Sequence, residues 1–194
     1  MTERAVLFTG VGGQGLQIVS KTLAIAALAE GRDVLLVPRY GGAMRGGKTN
    51  AELTIGDGAL RALPVVTSAW AGFVMDPSFW PSILPNLARG AVVVVNSSLF
   101  HLSIDVEEAR VFAVRASDLA AELGSPMSAG FVLLGAFVAI TGLVALDAIV
   151  DAMKQLVPVY RTQHVEANER AITAGAAAAP ALAAPAWTDV AAMP

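Results

Sequence analysis

Between an apolar run at residues 5–8 and a long alanine-rich pattern lies Gly10-Val11-Gly12-Gly13-Gln14-Gly15, the segment that most restricts what this chain can fold into. Four glycines in six positions leave almost no side chain to pack, so the segment must act through its backbone. Glycine reaches dihedral angles closed to other residues and lets a ligand touch the main chain. At a strand-to-helix junction the exposed N–H groups and the helix N-terminus attract an anion, most often a phosphate. Gly10, Gly12 and Gly15 satisfy the dinucleotide-binding spacing of α/β domains. A turn that only lets a helix pack closely on a sheet has the same composition.

The rhythm of strand and helix continues from there. Residues 4–9 read as a buried strand, and 14–29 as a helix whose Leu16, Val19, Leu23, Ala26 and Ala27 share one face until Gly31 ends it. Residues 33–37 read as a second buried strand. An NAD-binding unit places an acid near the end of that strand to hold the ribose hydroxyls. Here the chain reads Val37-Pro38-Arg39-Tyr40, which disfavours NAD and leaves NADP conceivable through Arg39.

A second glycine segment follows, Gly41-Gly42-Ala43-Met44-Arg45-Gly46-Gly47-Lys48-Thr49. Arg39, Arg45 and Lys48 bring three cations beside four glycines in an otherwise acidic chain, a combination suited to a phosphate or carboxylate and equally open to a solvated loop. Gly42 and Gly47-Lys48-Thr49 also fit the phosphate-loop pattern of nucleotide hydrolases, but such a loop must open a helix. Residues 50–55 alternate as a strand ending at Gly56-Asp57-Gly58.

Further along, residues 65–75 hold a short strand, and Asp76-Pro77 reads as the cap and first turn of a helix through Leu87. After Gly90, residues 91–95 form an unbroken buried strand that ends in Asn96-Ser97-Ser98, small polar residues at the carboxyl edge where α/β sheets receive ligands or where hydroxyls cap their own turn. Residues 110–114 read as a last strand, with Ser117-Asp118 capping a short helix through Glu122. Residues 125–146 carry no charge and approach the length of a membrane span, but Gly130, Gly135, Thr141 and Gly142 interrupt them and no aromatic or basic anchors flank them. One or two buried helices are expected there, then helices at 146–156 and from Pro158 to about Ala174. The alanine- and proline-rich remainder, 175–194, is expected to be an extended or disordered tail, a linker or an arm laid on a partner.

Composition narrows the function. The chain is 55% hydrophobic and only 15% charged, too little polar surface for an ordinary monomer, so partner chains are expected to cover part of it. A net charge of -3 excludes a general nucleic-acid binder. Without cysteine the chain cannot hold a thiolate-bound cluster, and His101 and His164 stand apart from other ligands, so no metal is expected. The amino terminus enters its first strand with no charged-then-apolar leader, from which a cytoplasmic location is expected. No nucleophile elbow or isolated acid pair suggests catalysis by this chain's own side chains.

Taken together, the chain resembles the γ subunit, or γ domain, of the 2-oxoacid:ferredoxin oxidoreductases, which act on pyruvate, 2-oxoglutarate, 2-oxoisovalerate or indolepyruvate, and of the related phenylglyoxylate dehydrogenase. The resemblance rests on residues 10–15 after the first strand, on Tyr40-Gly41-Gly42-Ala43-Met44-Arg45-Gly46-Gly47 after the second, and on Val94-Val95-Asn96-Ser97-Ser98-Leu99. Weaker echoes are Leu134-Gly135-Ala136 and the helix at 166–171. The resemblance covers roughly residues 1–174. It implies a Rossmann-like three-layer α/β sandwich with a mostly parallel buried sheet and a helical C-terminal part.

It also implies a cytoplasmic complex that converts a 2-oxoacid and coenzyme A into an acyl-CoA and carbon dioxide. Thiamine diphosphate with Mg belongs to the α and β chains, and [4Fe-4S] clusters in a ferredoxin-like chain pass electrons to ferredoxin, or to NAD through an added subunit. The γ element closes over the active site and helps to contain coenzyme A. The residues expected at that shared site are Gly12, Gly13, Gln14, Gly15, Arg39, Tyr40, Met44, Arg45, Gly46, Gly47, Lys48, Asn96, Ser97 and Ser98. Lys48 departs from the family's pattern and is expected to add a phosphate contact. A free-standing NADP-binding reductase and a purely structural lobe are the alternatives that the residues leave open.

Overall fold

The computed structural model describes residues 2–40, 46–61, 64–99 and 107–187. Its centre is a six-stranded sheet of β1 (Glu3–Val11), β2 (Asp33–Tyr40), β3 (Lys48–Gly56), β4 (Ala69–Val74), β5 (Leu87–Asn96) and β6 (Arg110–Val114), in the order β2-β3-β1-β4-β5-β6. β1, β4, β5 and β6 pair in parallel, while β3 runs antiparallel to both β1 and β2. The sheet is thus mostly parallel, as expected for this α/β fold, with one reversed strand between β1 and β2. The two edges of the sheet differ from its centre. Val92, Val93 and Val94 on β5 are fully buried, whereas on the edge strand β2 Val34, Leu35, Leu36 and Val37 are only half-buried and Pro38 and Arg39 are exposed, so the second strand is not the buried one that its apolar run suggested.

Alternation along the inner strands divides the core between two faces. Val6, Phe8, Phe73, Val92 and Val94 point to the face covered by five helices: α1 (Leu16–Ala29), α2 (Ala116–Glu122), α3 (Ala129–Thr141), α4 (Leu146–Leu156) and α5 (Val165–Ala177). Leu7, Val74, Val93 and Val95 point to the other, where Trp80 and Ile83 cover them from short 3-10 turns. The expected helix through Leu87 is replaced by 3-10 turns at Pro77–Ser82 and Leu84–Asn86. Pro81 and Pro85 each lack the N–H that an α-helix would use there. Asp76 does cap the first turn, accepting from the Ser78 N–H at 2.9 Å.

The uncharged stretch is α3 together with a preceding 3-10 turn, Pro126–Ser128. Apart from Ala139, every residue of α3 is buried, and no helix among the described residues is long and apolar enough to cross a membrane. α3 crosses α5 with backbone nearly on backbone. A Cβ at Gly135 would stand 2.8 Å from the carbonyl carbon of Ile172, and one at Gly175 would stand 2.7 Å from that of Val132. Only glycine at both positions lets the helices meet so closely.

The tail differs from expectation over its described part. α5 runs to Ala177, past the expected end near Ala174, and the following segment lies on the chain's own α3. The N–H groups of Leu182, Ala184 and Ala186 donate to the carbonyls of Ala139, Ile140 and Thr141 at 2.7, 3.0 and 2.8 Å. Helix ends leave their last carbonyls unpaired, and the end of α3 lies in the core, so this strap satisfies groups that water cannot reach. Trp187 anchors its end, donating from Nε1 to the Leu143 carbonyl at 2.9 Å beneath the Arg32 guanidinium. An alanine-rich segment can thus be ordered by backbone pairing without a core of its own.

Candidate functional site

The continuous register between β1 and β3 sets Val11 opposite Lys48, so both glycine segments leave the sheet at one edge. They touch there: the Gly12 N–H donates to the Gly47 carbonyl at 2.8 Å. Gly15 stands at the N-cap of α1 with φ 74°, a left-handed conformation, and α1 opens with no side-chain cap. Gly13, at φ 106°, is exposed with open space where a Cβ would stand. The first turn of a 14-residue helix therefore presents uncapped N–H groups beside bare backbone, the arrangement that favours an anion.

A cleft of about 590 Å³ opens against these loops. Gly12, Gly13, Gly15, Gly47, Lys48 and Thr49 form one part of its lining, Leu16, Gln17 and Ile18 bring in the start of α1, and Ser125, Met127, Ser128 and Phe131 come from the approach to α3. Val157, Pro158, His164 and Asn168 complete it from the end of α4 and the start of α5. Lys48 makes no ion pair with any described residue. The cleft thus combines a polar, cationic part with an apolar one, as sites for phosphorylated organic ligands do.

Of the residues expected at the site, Gly12, Gly13, Gly15, Gly47 and Lys48 meet in this lining, and Gly46 adjoins Gly12. Gln14 instead lies across the ends of β1 and β4: its Oε1 accepts from the Val11 N–H at 2.9 Å and its Nε2 donates to Asp76 at 3.1 Å. That is the crevice in which an open α/β sheet receives a dinucleotide, and here a side chain spans it. Arg39 sits two strands from β1, hydrogen-bonded to Glu52, and does not line the cleft. Tyr40 ends β2, while Met44 and Arg45 lie outside the described residues, as does His101.

Asn96, Ser97 and Ser98 are not in the cleft, because β4 separates β5 from β1. Asn96 is fully buried; its Oδ1 accepts from the Ser117 N–H at 3.2 Å, and its Nδ2 donates to the Ser117 hydroxyl at 2.8 Å. Ser98 Oγ accepts from the Asp118 N–H at 3.1 Å, and the Ser97 N–H donates to the Val114 carbonyl at 2.8 Å. α2 is therefore capped from β5, and the local cap expected of Ser117-Asp118 is not used. Gln17, Ser125, Ser128 and Asn168 were missed by the sequence reading. Gln17 carries the only signal, as a polar residue in the first turn beyond the glycine loop.

Residues 5–178 match the family described as pyruvate ferredoxin/flavodoxin oxidoreductase. The chain belongs to that family. Pyruvate synthase subunit PorC of Methanothermobacter marburgensis is 30% identical over 156 residues, covering 79% of this chain and 86% of that one. The γ subunit of a keto/oxoacid ferredoxin oxidoreductase from Geobacter sulfurreducens superposes with a TM-score of 0.80 at 28% identity, covering 92% of this chain and 97% of that one. The 2-oxoglutarate:ferredoxin oxidoreductase of Magnetococcus marinus contains the same fold, with a TM-score of 0.81 at 17% identity, covering 92% of this chain and 31% of the longer one. This chain is accordingly a γ subunit of a 2-oxoacid:ferredoxin oxidoreductase, and its two glycine segments, joined at one cleft, are placed in that setting.

Proposed function

We propose that this γ subunit lids the active site of its complex and holds coenzyme A through the cleft at the two glycine loops. It acts with α and β chains that carry thiamine diphosphate and Mg, and with a ferredoxin-like chain that carries [4Fe-4S] clusters. The complex oxidatively decarboxylates a 2-oxoacid, yielding acyl-CoA and carbon dioxide, with electrons leaving to ferredoxin or to an NAD-reducing subunit. Thiamine diphosphate supplies the decarboxylation chemistry from the partner chains. This chain contributes binding: it is inactive alone and works in the cytoplasm.

The observation that carries this reading is the junction of Gly12 with Gly47 beside Lys48, where uncapped N–H groups and a cation that makes no ion pair with any described residue line one cleft. Its chemistry fits the diphosphate of coenzyme A, and its volume lies in the range that holds a small organic ligand. The related fold of the Magnetococcus enzyme belongs to a protein described with 2-oxoglutarate, coenzyme A and succinyl-CoA bound, which supports the assignment. A dinucleotide reductase is not favoured, because Glu52 occupies Arg39 and Gln14 spans the switch-point crevice.

Lys48→Ala in the assembled complex tests it. Loss of a charge-assisted hydrogen bond is worth about 1.5–3 kcal/mol, so the KM for coenzyme A should rise roughly tenfold or more while the KM for the 2-oxoacid stays constant. An unchanged KM for coenzyme A would remove the cleft from its binding.

A further inference from the structure

The two edges of the sheet are finished differently. Successive residues of a strand turn their N–H and C=O groups to alternate sides, so one bonded residue sets the direction of all the others. The Gly47 carbonyl accepts from the Gly12 N–H, and two steps at a time along β3 that phase makes Ala51 bond to β1. Pro38, opposite Ala51 on β2, therefore turns its backbone away from the sheet. Its missing N–H leaves the ladder to β3 whole and denies a donor to any strand that would add outside β2.

β6 carries no proline. The Val114 carbonyl accepts from the Ser97 N–H at 2.8 Å, so Arg110, Phe112 and Val114 bond to β5, while the N–H and C=O groups of Val111 and Ala113 point away from the sheet. Those four groups have no hydrogen-bond partner among the described residues. The side chains are open too: Val111, beside Val93 on the face without α-helices, is 43% exposed, and Ala113 is exposed. An apolar, β-forming edge of this kind is a template for one more strand.

Arg110 indicates what that strand carries. It is exposed and makes no ion pair with any described residue, whereas Arg89 is held by Glu107 and Glu108, and Arg115 by Asp118 and Glu122. Arg110 shares the helix-bearing face with the half-buried Phe112. A carboxylate opposite Arg110 and an apolar residue opposite Phe112 would complete that face. A second copy of this chain does not supply them. Joined antiparallel with Val111 against the copy's Ala113, Arg110 would face the copy's Val114 with the like-charged Arg115 next to it.

We propose that β6 is a docking edge at which another chain of the complex adds an extended apolar segment, with a carboxylate beside Arg110. The inference rests on the chain's being one subunit of a 2-oxoacid:ferredoxin oxidoreductase and does not depend on where coenzyme A binds.

Residue-resolved hydrogen exchange tests it, on the full chain alone and in the assembled complex without coenzyme A. In the chain alone the Phe112 and Val114 amides should be protected and those of Val111 and Ala113 open; in the complex the latter two should slow by roughly tenfold or more. Amides of Val111 and Ala113 that exchange as fast in the complex as in the chain alone would overturn the proposal. Ala113→Pro removes an outward donor and spares the ladder to β5, so the chain should keep its melting temperature while its affinity for the remaining subunits falls roughly tenfold or more. Arg110→Glu, at an exposed position, should weaken assembly to a similar degree, and Arg110→Lys should restore most of it; this pair decides the matter even if Ala113→Pro fails to fold. Unchanged affinity in Arg110→Glu would refute the carboxylate. A chain that sediments alone as a dimer, and as a monomer once Ala113→Pro is made, would give the edge to a second copy and refute the proposal.

Discussion

Replacing Gly175 by Ala tests the helix crossing on which the cleft depends. In an isolated helix the change would stabilise by about 1 kcal/mol, since alanine is the better helix former. Here the added methyl would overlap the Val132 carbonyl and stand 2.7 Å from its carbon and 3.0 Å from its Cα, in a helix that cannot yield because all but one of its residues are buried. Overpacking of a rigid core costs about 1–3 kcal/mol, and backbone atoms relax less readily than side chains. Taking the helix-propensity gain from the upper end of that cost, we expect a net loss of about 2 kcal/mol, which lowers Tm by roughly 4–8 °C in a chain of this size. Gly135→Ala, facing the Ile172 backbone, should behave alike. Gly130→Ala is the milder companion, because one of its contacts is the Val19 side-chain methyl at 2.9 Å, which can move. Thermal unfolding of the three variants, followed by circular dichroism, distinguishes them. A Gly175→Ala chain that melts at or above the unmodified one would refute the close crossing. The functional link is direct, because Ser128 immediately precedes α3 and Asn168 lies in the first turn of α5, so parting the two helices widens the cleft.

Truncation after Ala177 removes the three hydrogen bonds that cap α3 and the Trp187 anchor, and should lower stability by about 2 kcal/mol, read as a shift in the urea midpoint at constant slope; no shift would show that the strap is dispensable. Arg39→Met should leave the KM for coenzyme A within twofold, since its guanidinium is engaged by Glu52 and stands outside the cleft; a tenfold rise would return Arg39 to the site.

Much of the architecture was legible because burial on both faces writes itself into sequence. Residues 91–95 could only be an inner strand, and 110–114 and 146–156 fell within the bounds of β6 and α4. The glycine loops were legible as backbone chemistry, and their convergence follows from the β1–β3 hairpin-like register, which periodicity alone does not reveal. What stayed hidden depends on distant partners. Arg39 looked like a free cation until β3 brought Glu52 beside it. Asn96 and Ser98 looked like ligand groups at a strand end but cap α2 some twenty positions later. The strap is invisible in composition, since its order comes from main-chain N–H groups meeting the end of α3. Asn168 lies within an ordinary polar helical pattern, and only the packing of α5 against the approach to α3 turns it into part of a cleft.

The most direct measurement is an experimental structure of the assembled complex with coenzyme A bound. The account predicts the diphosphate of coenzyme A within hydrogen-bonding distance of the Gly13 and Gly15 N–H groups and of Lys48 Nζ, enclosed by partner chains. Coenzyme A seated elsewhere, with this cleft open to bulk solvent, would contradict it.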